Sequence, residues 1–134
     1  MATIRVPGRF KHLLELRQFV GEAAEKAGLD SRGVYAVKLA TDEACTNIIE
    51  HGYGGEGKGV IECTCETSAA GLTVIIRDWG QAFDPKSVPD LDPTLALEEV
   101  GSRGAGLFLI KNLMDEVDFV FSKAGNVLTL VKYK

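Results

Sequence analysis

Val60-Ile-Glu-Cys-Thr-Cys-Glu-Thr-Ser-Ala-Ala-Gly-Leu-Thr-Val-Ile-Ile-Arg-Asp78 reads as two extended runs about a turn. Val60 to Glu66 and Leu72 to Asp78 carry the β-branched and apolar residues, and Ala69-Ala70-Gly71 separates them. So short a connection makes a hairpin, since a parallel crossover needs a dozen residues or more. A second hairpin closes the chain, Val117 to Ser122 and Val127 to Tyr133 around Gly125. Near the start, Ile4 to Val6 forms a short strand stopped by Pro7-Gly8. Three helices are predicted. Leu13, Leu16, Val20, Ala23, Ala24 and Ala27 follow helical spacing from Lys11 to Lys26, with Gly28 as the stop. Asp30 or Ser31 caps a second helix running to about Glu50, and a third runs from about Gly106 to Met114. Hairpins without regular strand–helix–strand alternation imply an α+β fold, its sheet mainly antiparallel, with helices on one face.

Gly52 to Gly59 is a glycine-rich connection, and Gly80 to Gly106 has no sustained period and carries Pro85, Pro89 and Pro93. A loop of that length inside a small domain is usually functional. It has few large apolar residues and several acids, so it is expected to order only over a ligand, as a lid. The 134 residues make a single domain, 1–134, of ordinary globular composition, 46% hydrophobic and 25% charged. A net charge of −4 argues against nucleic acid, which needs a concentrated basic surface. Met1 to Phe10 contains no signal-peptide run, and no apolar stretch approaches the roughly 18 residues of a membrane span. Cys63 and Cys65 share a strand face; with Cys45 they read as buried reduced thiols, which suits a cytoplasmic location.

Chemistry concentrates at three places. On the second helix, Val34, Val37, Thr41, Ala44, Cys45 and Ile48 share the face that should pack on the sheet. Arg32, Lys38, Asp42 and Glu50 fall on the opposite, solvent side, and Glu43 and Asn47 lie between, one turn apart, beside small Ala36 and Ala40. A carboxylate and an amide at that spacing can share a hydrated cation, because Mg²⁺ takes few protein ligands alongside water and phosphate. His51 continues the flank. The second place is Asp78-Trp79-Gly80 at a strand end. A carboxylate there can accept from the exocyclic amine of adenine, which guanine replaces with a carbonyl, while a glycine lets a planar ring approach the backbone. The third is Gly101-Ser102-Arg103-Gly104-Ala105-Gly106, leading into Leu107-Phe108-Leu109-Ile110. Glycines before an apolar helix free backbone N–H groups for phosphate oxygens, the helix N-terminus adds positive potential, and Arg103 adds a charge. Taken singly, each admits a plainer reading: a solvated pair, a turn, a hinge.

In order and spacing the three resemble the GHKL superfamily, and within it the bacterial anti-sigma-factor serine kinases. Glu43-Ala-Cys-Thr-Asn47-Ile-Ile-Glu-His51-Gly-Tyr resembles the helix box, Asp78-Trp-Gly80-Gln-Ala-Phe83-Asp84-Pro85 the adenine box, and Arg103-Gly104-Ala-Gly106-Leu-Phe-Leu-Ile the phosphate box, with Met114-Asp115-Glu116-Val117 after it. The resemblance covers essentially the whole chain. It implies a Bergerat fold, a two-layer α/β sandwich with a mixed, mainly antiparallel sheet beneath helices and ATP under a lid. By resemblance, Glu43 is the general base toward an acceptor hydroxyl and Asn47 coordinates Mg²⁺. Asp78 binds the adenine amine and Gly80 makes space; Gly104 and Gly106 cradle phosphates with Arg103 near the γ-phosphate. The implied activity is an ATP- and Mg²⁺-dependent serine/threonine kinase that phosphorylates an anti-anti-sigma (STAS-type) partner, sequesters a sigma factor and forms a homodimer. Two positions depart from the family: Ala82 stands where the adenine box often has Gly, and Asn126-Val127 stands where many relatives have an adenine-holding Thr, with Thr129 two residues on. Two further readings are a nucleotide-binding anti-sigma module without kinase activity and a histidine-kinase ATPase half working in trans. The chain has no helix resembling a phosphoacceptor-histidine box, and Glu43, which pure binding does not require, favours the kinase.

Overall fold

The computed structural model describes residues 1–81 and 102–134, the side chains of 102–105 excepted. The chain runs β1 (Ala2–Pro7), a short 3₁₀ turn (Phe10–His12), α1 (Leu13–Lys26), α2 (Ser31–Asn47), β2 (Val60–Thr67), β3 (Gly71–Asp78), α3 (Ser102–Leu113), β4 (Glu116–Ser122) and β5 (Gly125–Tyr133). Among the described residues the strands form one sheet of order β1-β2-β3-β5-β4, and each neighbouring pair is antiparallel. The expected α+β class stands, but among the described residues the sheet is antiparallel throughout rather than mixed, because consecutive strands join as hairpins or return beside a neighbour running the other way.

Side-chain alternation along the strands explains the layers. Ile61, Cys63 and Cys65 of β2, Leu72, Val74 and Ile76 of β3, and Leu128 and Leu130 of β5 are buried on one face. They meet Leu16, Val20 and Ala24 of α1, Val37, Ala44 and Cys45 of α2, and Ile110 of α3 in a single core. Truncating a fully buried member such as Leu16 to alanine costs about 2–5 kcal/mol, lost transfer energy plus a cavity. The alternating residues on the far face, Thr64, Thr73, Ile75 and Thr129 among them, are half-exposed, so the helices form one layer.

Asp30 caps α2: its carboxylate accepts from the Gly33 N–H at 2.8 Å. The apolar stripe expected on α2 packs on the sheet, but its opposite side is not simply solvated. Arg17 of α1 reaches both carboxylate oxygens of Asp42 at 3.1–3.2 Å, and a Cβ at Gly21 would lie 2.3 Å from Cε of Lys38. α1 therefore covers Lys38 and Asp42, because a glycine in α1 lets the two helices approach. Regular α-helix ends at Asn47, and Ile48–Gly52 widens into a π turn in which the Tyr53 N–H donates to the Ile48 carbonyl at 2.8 Å. No described helix is long and apolar enough to cross a membrane.

Candidate functional site

The π turn brings the chain after α2 onto the end of β3, where several short contacts join the two segments. The Gln81 N–H donates to the Gly52 carbonyl at 2.7 Å. The Tyr53 hydroxyl donates to the Val60 carbonyl at 2.5 Å and accepts from the Trp79 N–H at 3.0 Å. Burial pushes the Tyr53 phenol above its ordinary pKa, which keeps it a donor. Gly80 is required by this junction: a Cβ there would stand 2.5 Å from the Gly52 oxygen and 2.6 Å from its carbonyl carbon, both backbone atoms. The space expected of Gly80 is thus used first by the protein's own backbone. Trp79 is held beside it, its indole N–H donating to the Ala124 carbonyl at 3.1 Å and the Arg5 guanidinium lying 5.2 Å from the ring centre.

Asp78 ends β3 with its side chain on the buried face, only 7% exposed. Its Oδ1 accepts from the Gly80 N–H at 2.9 Å and from Asn126 Nδ2 at 3.0 Å. Asn126 is its cross-strand partner on β5, and the same Nδ2 donates to the Gly80 carbonyl at 3.0 Å. Sequence reasoning assigned Asn126 no role. Its signal was visible, since Asn126-Val127 occupies the place of the family's adenine-region Thr, and register alone shows that it faces Asp78.

Asp78 and Asn47 line one cleft of about 540 Å³, mouth included, with Ala44, Gly52, Leu107, Phe119, Phe121 and Asn126 among its walls. The walls are mostly apolar with a few amides and one carboxylate, the usual make-up of a small-molecule site. The room beside Asn47 comes from Ala44 and Gly106, whereas the expected Ala36 and Ala40 are buried and lie off the cleft.

α3 begins at Ser102, earlier than the expected start near Gly106. Gly104 and Gly106 thus lie in the first turns of the helix rather than in a loop before it. That placement puts the Gly104 N–H among the first four of the helix, which have no intrahelical partner, whereas Gly106, the fifth residue, contributes the space left by its missing side chain. A Cβ on Gly106 would lie 2.7 Å from Asn47 Nδ2 and 3.3 Å from Glu43 Oε2. The carboxylate and the amide of α2 therefore meet at the opening turns of α3, and the absent side chain leaves their cradle open. A carboxylate and an amide side chain beside the opening turns of α3 suit a magnesium ion, which would take the amide through its oxygen and its other ligands from water and phosphate. Among the described residues no group of three His, Cys, Asp or Glu could hold a metal. The Arg103 side chain, Ala82 and most of the lid expected over Gly80 to Gly106, residues 82–101, lie outside the described residues, while 102–106 belong to α3.

Cys45, Cys63 and Cys65 are free and buried, as expected. Burial, with Asp42 and Asp78 adding like charge, pushes the Cys45 thiol well up. The Cys63 thiol is raised and the Cys65 thiol lowered, because Cys63 donates to Cys65.

The model of the histidine kinase-like ATPase domain family matches residues 6–132. The serine-protein kinase RsbW of Bacillus velezensis is 28% identical, covering 97% of this chain and 83% of its own length. That of Halalkalibacterium halodurans is 30% identical over 96% of this chain and 80% of its own. A crystal structure of the RsbU and RsbW domains of a Mycobacterium tuberculosis protein superposes with a TM-score of 0.63 at 16% identity, covering 99% of this chain. This chain spans 33% of that longer one, and the likeness speaks to fold alone. The match along nearly the whole length, on a sheet and cleft built from these boxes, places the chain in the histidine kinase-like ATPase domain family, among the relatives of the serine-protein kinases RsbW.

Proposed function

We propose that this protein is an ATP-dependent serine/threonine kinase acting as an anti-sigma regulatory factor in the cytoplasm, with an anti-anti-sigma protein of STAS type as its phosphoacceptor. The observation that carries the reading is the meeting of Glu43, Asn47 and Gly106, with Asn47 lining the cleft that Asp78 also lines. Asp78 accepts from the adenine amine, and the apolar walls take the ring. Gly104, Gly106 and Arg103 receive the phosphates at the α3 N-terminus, and Asn47 would hold Mg²⁺. A Mg²⁺ held there would supply the charge neutralisation that phosphoryl transfer requires. Glu43, half-buried on the same flank, takes the proton from the acceptor hydroxyl. Catalysis is then positioning and charge stabilisation. Sequestration of a sigma factor and assembly as a homodimer belong to the same reading and follow from the resemblance to the anti-sigma kinases.

The test is phosphate transfer from labelled ATP with Mg²⁺ to purified STAS-domain candidates, followed with wild type, Glu43→Ala and Asn47→Ala. Glu43→Ala should bind ATP normally and lose about 10²–10⁴-fold in transfer, the usual contribution of a general base. Asn47→Ala should weaken Mg²⁺-dependent binding as well, and chelating the metal should abolish transfer in wild type. Full transfer by Glu43→Ala would remove the base and favour a nucleotide-binding module whose output is sequestration alone.

A further inference from the structure

Asp78 and Asn126 face each other across β3 and β5, each 7% exposed, and both line the cleft. A buried carboxylate has two oxygens that could take a ligand in either of two orientations. Here one is already committed, since Oδ1 accepts from the Gly80 N–H and from Asn126 Nδ2. Among the described residues Oδ2 accepts no hydrogen bond. Asn126 is committed as well. Its Nδ2 carries two hydrogens, and both are used, one on Asp78 and one on the Gly80 carbonyl at 3.0 Å. Turning the amide over would set its oxygen against two other acceptors, so a single orientation survives.

We infer that Asn126 is the residue that sets nucleobase specificity in this chain, acting as a positioning residue through Asp78. By occupying Oδ1 it leaves Oδ2 as the acceptor for an amino group on the ligand's ring, and by holding the Gly80 carbonyl it fixes the backbone beside that ring. A 6-amino purine satisfies Oδ2, whereas a 6-oxo purine places an acceptor against an acceptor. A hydroxyl at this position would carry one hydrogen, on an atom one bond nearer the backbone, and could not hold both Asp78 and the Gly80 carbonyl; the amide does both. The inference rests on the adenine reading of Asp78 and adds the residue that enforces it.

The experiment uses ATP and inosine triphosphate, which differ at the 6-amino group, in calorimetric titrations with Mg²⁺ against wild type, Asn126→Thr and Asn126→Val. The two variants are nearly the same shape, both suit a strand, and only threonine keeps a donor. Wild type should prefer ATP by at least tenfold, the worth of one hydrogen bond to a charged group. Threonine should hold that preference within about threefold, and valine should collapse it by about tenfold. A merely structural role would weaken both nucleotides together and leave the ratio unchanged, so the ratio is the readout, with a melting curve for each variant. If the valine variant does not melt cooperatively, Asn126→Ala replaces it with the same expectation. Wild type binding both nucleotides equally would overturn the adenine reading itself. Wild type discriminating while the donor-free variant discriminates as well would overturn the role of Asn126 and leave that reading standing.

Discussion

Gly106→Ala separates stability from function in opposite directions. Glycine inside a helix is about 1 kcal/mol less favourable than alanine, so the substitution removes a backbone penalty from α3. The new methyl would lie 2.7 Å from Asn47 Nδ2, and ordinary contact begins at 3.4 Å, so the amide must retreat by about 0.7 Å. Asn47 is at the last turn of α2 with a half-exposed side chain, so it can move at little cost to the fold. Glu43 Oε2, at 3.3 Å, gives way slightly. The expected melting temperature is unchanged or raised by up to about 4 °C, the shift that 1 kcal/mol produces in a domain of this size. Function should fall steeply, because a displacement approaching 1 Å in a positioned group can cost about 10²-fold in rate. Nucleotide-free protein should be melted by differential scanning calorimetry, and transfer from Mg-ATP measured in parallel. A variant that melts several degrees lower would refute the helix argument. One that keeps full transfer would refute the claim that Gly106 holds open a cradle for Asn47 and Glu43.

Two other outcomes follow from contacts already given. Gly80→Ala drives a methyl to 2.5 Å from the Gly52 oxygen, where only backbone can yield, and should destabilise the protein by about 1–3 kcal/mol in urea titrations; an unchanged midpoint would mean the junction is looser than described. The buried thiols should resist a disulfide reagent at pH 8 in the native protein and react together in denaturant, Cys45 being held protonated by burial; rapid native labelling of Cys45 would contradict its place in the core.

Much of the fold follows from local pattern. The hairpin runs Val60 to Glu66 and Leu72 to Asp78 lie within β2 and β3, and period-two alternation decides which side of them is buried. The α2 stripe through Val37, Thr41, Ala44 and Cys45 is buried as its helical spacing requires, and Asp30 caps the helix through a bond three residues long. The boxes at Glu43–Asn47, Asp78–Gly80 and Arg103–Gly106 are legible because each is short and its chemistry is local. What depended on distant partners was out of reach. Asp42 and Lys38 read as solvent-facing on α2 alone, since nothing in their spacing reveals that α1 crosses there. The start of α3 at Ser102 overrode glycines that read locally as a loop, and its placement against α2 made Gly106 the neighbour of Asn47. Gly80 was read as room for a ring, and the fold adds a second demand that spacing could not show, the backbone of Gly52 lying where a Cβ would stand. Asn126, 48 residues from Asp78, became part of the site only when β5 paired with β3 in one register. Sequence by itself determined the elements and the three short boxes of the candidate site, because propensity, capping and side-chain chemistry act over a few residues. Tertiary structure alone decided which of those groups touch, because pairing register and helix packing join residues that the chain keeps far apart.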